Sequence, residues 1–469
     1  MTSVYKKSVI LFFTAIIVRI AFHYFTGFTA DDAFITFRYA ENLANGEGYV
    51  YNIGQPVFGS STPLFVLILS LFSLVSVSTI KASFIVSLAA SGFTALLLYR
   101  LAHHLRFAKF AVLPSLLFIF FPRVIPAETS GMETALFTFF IVASFYLNRK
   151  NKNFYALAMT TLACLTRYEG FLILLIIFIH IIYKDRDKFL YYLSIPSIII
   201  IPWFLFTFYY FGSIIPHSVT AKLALYNLIG NSSYLDHFIY LMAFHNPIGY
   251  LLLIGSIFGA VWLNKKQNFG WLEIFWIVGM ILFYTFSKTH LFFWYVVPIY
   301  PIYLLFFSGA VVSLFDKFKF LQYKKNIPEI IISISVLVLL VSLFSVGQVY
   351  KFEQSVLNDV HKKVGDYLYS HVKENELVAA EDIGYIGYYS QKRILDRDGL
   401  VSPESVKYNQ TGKYFDLIRV EKPDWVVLYD KSEISQFYNN KEFKDLYSHV
   451  QSYESESGIK YIIYKYEKN

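Results

Sequence analysis

The chain has 469 residues, of which 56% are hydrophobic and 16% charged. A typical soluble domain is roughly a quarter charged, so this composition excludes an ordinary soluble protein. The formal net charge is +8, and the basic excess sits in short loops between apolar runs, which makes nucleic acid an unexpected partner.

The apolar runs come close to the ~20 residues a helix needs to cross about 30 Å of hydrocarbon. The first, at 8–26, follows Lys6 and Lys7. It is longer than a signal-peptide core, lacks a small-residue cleavage site and reads as a retained anchor. Further spans are predicted at 83–102, 108–122, 132–148, 154–166, 168–183, 189–211, 247–263, 270–287, 291–314 and 328–347. The lone cysteine, Cys164, falls in one of them; it excludes an internal disulfide and a cysteine metal cage, and reads as a small packing residue.

Basic loops lie between the spans: Lys6-Lys7, Arg100 to Lys109, Arg149 to Lys152, Lys184 to Lys188, Lys265-Lys266 and Lys317 to Lys325. Placing them inside puts the N-terminus in the cytoplasm and the chain after 347 outside, in a cytoplasmic membrane. Segment 62–79, TPLFVLILSLFSLVSVST, breaks this pattern. A full crossing there would invert every later basic loop, so a re-entrant or surface-lying helix is expected.

After 347 no run is long enough to span. A helix over 350–371, strands near ELVAAED, KRILDRD, DWVVLYD and GIKYIIYKY, and a helical stretch over 432–448 predict a small α/β domain. The expected fold class is therefore a polytopic α-helical membrane protein with about 11 transmembrane helices and re-entrant or juxtamembrane helices in its first external loop. A transmembrane domain over 1–347 is followed by an extracytoplasmic soluble α/β domain over 348–469. No internal repeat is visible, and the absence of a G-x-x-x-x-G-K-[ST] motif argues against ATP-driven transport by this chain.

With this topology the unusual ionisable residues gather on the outer side: Asp31 and Asp32, Glu128 and Glu133, Arg167 and Glu169, His217 and Lys222, Lys288 and His290. Such residues at membrane depth are expensive and mark functional sites. Adjacent acids at a low-dielectric boundary repel, so one of Asp31 and Asp32 is expected to hold its proton more tightly. Either can take a proton from a hydroxyl or hold a divalent cation. The bland alternative is an N-cap acid for the helix AFITFRYAENLA. For Glu133 it is a capping box with Ser130. Asp382, Asp396 and Asp398 read as solvated turn residues.

The stretch DDAFITFRYAENLANGEGYVYNIGQPVFGSSTPL resembles the opening loop of GT-C membrane glycosyltransferases. It is most similar to the group that includes terminal arabinofuranosyltransferases, with distant kinship to protein O-mannosyltransferases and the aminoarabinose transferase of lipid A. SGMETALF (130–137), LTRYEGFL (165–172), IIPHSVTAK (214–222), FFWYVVPIYP (292–301) and DIGYIGYYSQKRILDRDGLVSPE (382–404) extend the resemblance nearly end to end. Two positions depart from the pattern: Tyr168 stands where Pro is usual, and His217-Ser218 where Asn-Thr is usual.

The resemblance implies a sugar donor on a polyprenyl phosphate, taken from the outer leaflet, and a glycan, lipid or protein acceptor. It implies a catalytic acid at Asp31 or Asp32 and a second at Glu133 or, less favoured, Glu128. The departing phosphate needs cations, and arginine suits a bidentate contact. Arg167, Lys222, Lys288 and His290 are the candidates, with Arg38, Glu169, His217 and Tyr295 as further substrate contacts. The resemblance leaves the need for a divalent cation open, with Asp31 or Asp32 as its ligand. The expected activity is an inverting transfer. The alternatives are a lipid-linked-sugar translocator, which would favour a midplane site between repeats, and a scaffold whose business lies in the C-terminal domain.

Overall fold

The computed structural model of the chain describes residues 3–226, 234–243, 247–287, 290–318, 326–430, 437 and 439–467. Among the described residues, six helices are long and apolar enough to cross a membrane: Ser3–Thr26, Thr79–His104, Arg186–Phe211, Pro247–Gln267, Phe293–Lys317 and Ile327–His371. Ala108–Phe120, Thr134–Arg149, Asn153–Thr166, Gly170–Lys184 and Trp271–Ser287 are shorter apolar helices that fall on predicted spans. Segment 62–79 forms the 12-residue helix Pro63–Leu74. At 1.5 Å per residue it is ~18 Å long, well short of the hydrocarbon thickness.

The chain forms two compact units. The first comprises Met1–Gly27, Ser83–Pro202 and Asn231–Val349; the second comprises Phe28–Ala82, Trp203–Gly230 and Tyr350–Asn469.

In the first unit, small residues let helices approach closely. Gly259 of Pro247–Gln267 faces Tyr300–Lys317 so tightly that a Cβ there would strike the Phe306 carbonyl. Ser256 donates across the same seam to the Tyr303 carbonyl at 3.0 Å. Gly170 opens the helix Gly170–Lys184 directly against the Ala163–Cys164 backbone and likewise leaves no room for a Cβ. Cys164 is buried and unpaired. Arg19, within the first apolar helix, donates twice to Glu128 Oε2 (2.9 and 2.7 Å) and once to the Ile119 carbonyl (2.7 Å). Both members of this pair are buried.

In the second unit, five strands form one mixed sheet: β1 (Leu377–Ala380), β2 (Arg393–Asp396), β3 (Trp425–Tyr429), β4 (Tyr447–Glu454) and β5 (Lys460–Tyr466). Their order is β2-β1-β3-β5-β4. β1 runs parallel to β2 and β3, and β5 antiparallel to β3 and β4. The central β3 is apolar residue after residue, as burial on both faces requires. Val426 and Leu428 pack with Leu417, Ile418 and Phe443 in the core.

Two elements differ from the sequence reading. The predicted last span and the helix expected after it are one helix, Ile327–Val356, which passes through a π turn at Leu357–Lys362 into Lys363–His371. No proline interrupts 329–371, so nothing local stops it. Of the helix expected over 432–448, Lys441–Leu446 forms an α-helix, started by Asn440, whose side chain accepts from the Glu442 N–H. Residues 447–448 instead open β4, because pairing with β5 outweighs helix propensity there. Residues 432–436 and 438 of that expectation lie outside the described residues.

Candidate active site

The acid pair opens the helix Asp31–Ala44 of the second unit. Neither acid is its N-cap: that position is Ala30, with no side-chain capping bond, which corrects the capping alternative. Asp31 instead caps a different helix. Its carboxylate accepts the Gly384 N–H at 3.0 Å and the Tyr385 N–H at 2.8 Å, at the start of Tyr385–Ser390. Gly384 is required by this approach, since a Cβ would collide with the Asp31 backbone and carboxylate. Burial and the nearby Asp382 carboxylate push the Asp31 carboxyl up to about 7, against the lowering pull of His361 and of the Tyr385 N–H. Asp32 is half-buried, and no hydrogen bond or ion pair engages its carboxylate among the described residues. Its negative charge is felt by Asp31 and Asp398.

The rest of the first loop is fastened within the same unit. Arg38 is buried and spends its guanidinium on three backbone carbonyls: Tyr51 (2.8 Å), Gly387 (2.7 Å) and Lys392 (2.6 Å). This makes Arg38 a staple rather than an open substrate contact. Tyr51 Oη donates to the Ile383 carbonyl at 2.6 Å. Asn52 serves both backbone groups of Ile394 on the outer strand β2, donating at 2.8 Å and accepting at 3.0 Å. It thereby covers a sheet edge that would otherwise stand open.

Asp396 and Asp398 are not solvated turn residues. Asp396 is wholly buried and accepts from the N–H groups of Asp398 (2.9 Å) and Val401 (3.1 Å). Burial first, then the Asp398 charge, pushes its carboxyl up to about 7. Asp398 pairs with Arg397 at 2.7 Å, and Arg397 also reaches Glu381 at 2.5 Å. His217 opens the helix His217–Tyr226, and its backbone N–H donates to the Phe58 carbonyl at 2.7 Å. Its Nε2 is buried without a hydrogen bond among the described residues. Lys222 lies on the same helix, half-buried.

In the first unit, Arg167 is buried between two buried acids. Its Nη2 donates to Glu169 Oε1 at 2.8 Å, and Nη1 lies 3.6 Å from Glu133. Tyr284 Oη donates to the same Glu169 oxygen. The Tyr295 ring stacks on Tyr284 and lies 4.7 Å from the Arg167 guanidinium. Glu133 immediately precedes the helix Thr134–Arg149 with no side-chain cap bond, so the capping box with Ser130 is not formed. Glu128 belongs to the Arg19 pair. His290 lies 4.5 Å from the Phe292 ring and 6.0 Å from His237. Lys288 lies outside the described residues.

Among the described residues no group of three or more His, Cys, Asp or Glu side chains is arranged to hold a metal ion. Sequence reasoning missed Arg19, Tyr284, His361 and Tyr461. Arg19 was findable, since a charge inside an apolar run is itself a signal. The other three carry no such mark.

No curated protein sequence matches the chain. A family described as a domain of unknown function (DUF8728) matches residues 348–466. Among solved structures, ArnT from Cupriavidus metallidurans bound to undecaprenyl phosphate is 11% identical, covers 97% of each chain and superposes with a TM-score of 0.63. The oligosaccharyltransferase AglB from Archaeoglobus fulgidus, in complex with an inhibitory peptide and a dolichol-phosphate, is 12% identical over 99% of this chain and 74% of that one, with a TM-score of 0.59. The arabinofuranosyltransferase AftD from Mycobacteria is 13% identical over 98% of this chain and 40% of that one, with a TM-score of 0.50. At such identities the likeness is one of fold. The chain is a polytopic helical membrane protein with the fold of the GT-C glycosyltransferases and a small C-terminal α/β sheet.

Proposed function

We propose that the chain is an inverting glycosyltransferase. It moves a sugar from a polyprenyl-phosphate donor to a hydroxyl of a glycan, lipid or protein acceptor at the outer face of the cytoplasmic membrane. Asp32 is the general base. The acceptor oxygen attacks the anomeric carbon, Asp32 takes the hydroxyl proton, the bond from that carbon to the phosphate oxygen breaks, and polyprenyl phosphate departs. The observation that carries this reading is the division of labour in the adjacent pair. Asp31 is committed to two backbone N–H groups, whereas the Asp32 carboxylate is engaged by no hydrogen bond among the described residues. A base must have a lone pair to spare.

Lys222, in the same unit, is the proposed cation for the departing phosphate. A fixed positive charge in a water-poor site acts most strongly on the charge that develops there. The proposed orientation rests on the basic loops, which bias the segments they flank toward the cytoplasm.

The test is transfer by the purified full chain from a panel of radiolabelled polyprenyl-phosphate sugars to a membrane extract. Product formation by the wild-type chain and its loss in Asp32→Asn are expected. Transfer undiminished in both Asp31→Asn and Asp32→Asn would sink the base assignment. Failure of the wild-type chain with every donor in the panel would sink the activity.

A further inference from the structure

We infer that Asp382, with Tyr461 and His361, is a positioning residue for Asp32: it fixes the turn whose backbone N–H groups hold Asp31. The inference rests on the glycosyl-transfer reading and concerns the second unit alone.

Asp382 stands just past the carboxyl end of β1, and the next residues, 383–385, carry every contact that matters. Tyr461 Oη, from the interior strand β5, donates to Asp382 Oδ2. His361 Nε2 lies 3.6 Å from that oxygen and 3.2 Å from Tyr461 Oη. Tyr461 and His361 are both buried. His361 sits in the π turn Leu357–Lys362, a widened turn of the kind that frequently marks functional sites in helices. Its Nδ1 has no hydrogen-bond partner among the described residues, so the Asp382–Tyr461 contact is made through Nε2.

From this clamp the chain leads directly to the acid pair. Tyr51 holds the Ile383 carbonyl at 2.6 Å. The Gly384 and Tyr385 N–H groups hold Asp31. Gln354 ties the other side, accepting the Thr29 N–H at 2.9 Å and donating to Tyr385 Oη at 2.9 Å. Residues 29–31 are therefore gripped by the turn on one flank and by Gln354 on the other, and Asp32 is the first side chain beyond the grip.

Stability and position separate here. The Asp382 side chain is 43% exposed, and partly exposed pairs contribute little to stability. Misplacing a reacting group by about 1 Å, by contrast, costs on the order of 100-fold in rate. Loss of the clamp should therefore reduce turnover without unfolding the protein.

The experiment compares Asp382→Asn, Tyr461→Phe, the double variant and Asp32→Asn in the full chain. Each is assayed with the radiolabelled polyprenyl-phosphate sugar that the wild-type chain uses, alongside thermal denaturation. Asp382→Asn and Tyr461→Phe are each expected to lower kcat about 10-fold, with donor KM within about twofold. The double variant should be no worse than either single variant, because both remove one clamp. The apparent Tm should stay within about 2 °C of wild type.

Wild-type kcat in Asp382→Asn and Tyr461→Phe, with Asp32→Asn inactive, overturns this inference and leaves the catalytic reading standing. A fully active Asp32→Asn overturns the reading and the inference with it. If Asp382→Asn fails to fold, Tyr461→Phe decides alone, because it removes only the donated hydroxyl.

Discussion

Each compact unit carries a cluster of acids, and the two clusters are built on opposite plans. In the first unit, Glu133 and Glu169 share Arg167, all three side chains are buried, and Tyr284 adds a hydroxyl to the shared oxygen. In the second unit, Asp31 is absorbed by the Gly384–Tyr385 N–H pair, while Asp32 beside it is engaged by no hydrogen bond among the described residues. A buried charge met on both sides fixes a geometry, and among the described residues Arg167 Nη1 has the Glu133 charge beside it but no hydrogen bond. A carboxylate held close to an engaged neighbour, and itself unengaged, is available for proton transfer.

The comparison is broken most directly at Asp32. Removing a general base is expected to cost about 100- to 10,000-fold in turnover. Asp32→Asn should show that loss with the wild-type melting temperature. Asp31→Asn should lose far less, because the amide oxygen still accepts one of the two backbone N–H groups. Equal losses in the two variants, measured as initial rates of labelled-sugar transfer, would show that the pair does not divide its work in this way.

The Arg167 cluster predicts the reverse signature, stability before rate. Arg167→Ala leaves two buried carboxylates facing one another and is expected to destabilise the protein by about 3–5 kcal/mol. Neutralising the acids as well, in Arg167→Met with Glu133→Gln and Glu169→Gln, should recover most of that loss. Denaturation in detergent, followed by fluorescence, reads both. An unchanged melting temperature in Arg167→Ala would mean that the arginine is not balancing these acids.

A smaller effect sharpens the second cluster. Gly384→Ala puts a methyl group where the Asp31 backbone and carboxylate already stand, so the turn must retreat. Overpacking of this kind costs about 1–3 kcal/mol. It should lower turnover as well, because the turn carries Asp31. An alanine variant that melts and turns over like wild type would separate Asp31 from the turn.

Much of this architecture was legible in the sequence. Each predicted span has its helix because hydropathy is a local property, β3 and β5 announced themselves as runs of β-branched and aromatic residues, and β1 and β2 as short apolar runs bounded by charged residues. β4 did not. YSHVQSYE is a largely polar outer strand that owes its conformation to its partner β5. The candidate site was legible to the same depth. Two adjacent acids past the first span are a local signal, but which one is spare depends on partners 353 and 354 residues away. No spacing rule reaches that far. Arg38 shows the cost of reading locally: an arginine in an external loop looks like a ligand contact until its three carbonyl partners appear.

The smallest expected effect is a pH dependence of stability, and its sign is specific. The Asp31 and Asp396 carboxyls are both pushed from 3.8 up to about 7, mainly by burial. Between those values the folded chain holds protons that the unfolded chain has released, so stability falls as pH rises through this window. Asp382 works the other way: burial disfavours its charge, but the nearby His361 and the Tyr461 hydroxyl outweigh burial and lower it. Its contribution is lost only at the acid end, below the ordinary carboxylate range. The apparent melting temperature should therefore be higher at pH 5 than at pH 8, by about 2 °C or more. Asp31→Asn carries a permanently neutral side chain and should flatten part of that slope, because it gains no charge between pH 5 and pH 8. Asp32→Asn should leave the slope nearly as it is, because Asp32 acts on Asp31 only as the weakest of the influences that set its proton affinity. A slope unchanged in Asp31→Asn and flattened in Asp32→Asn would reverse the roles of the pair, and with them the choice of base.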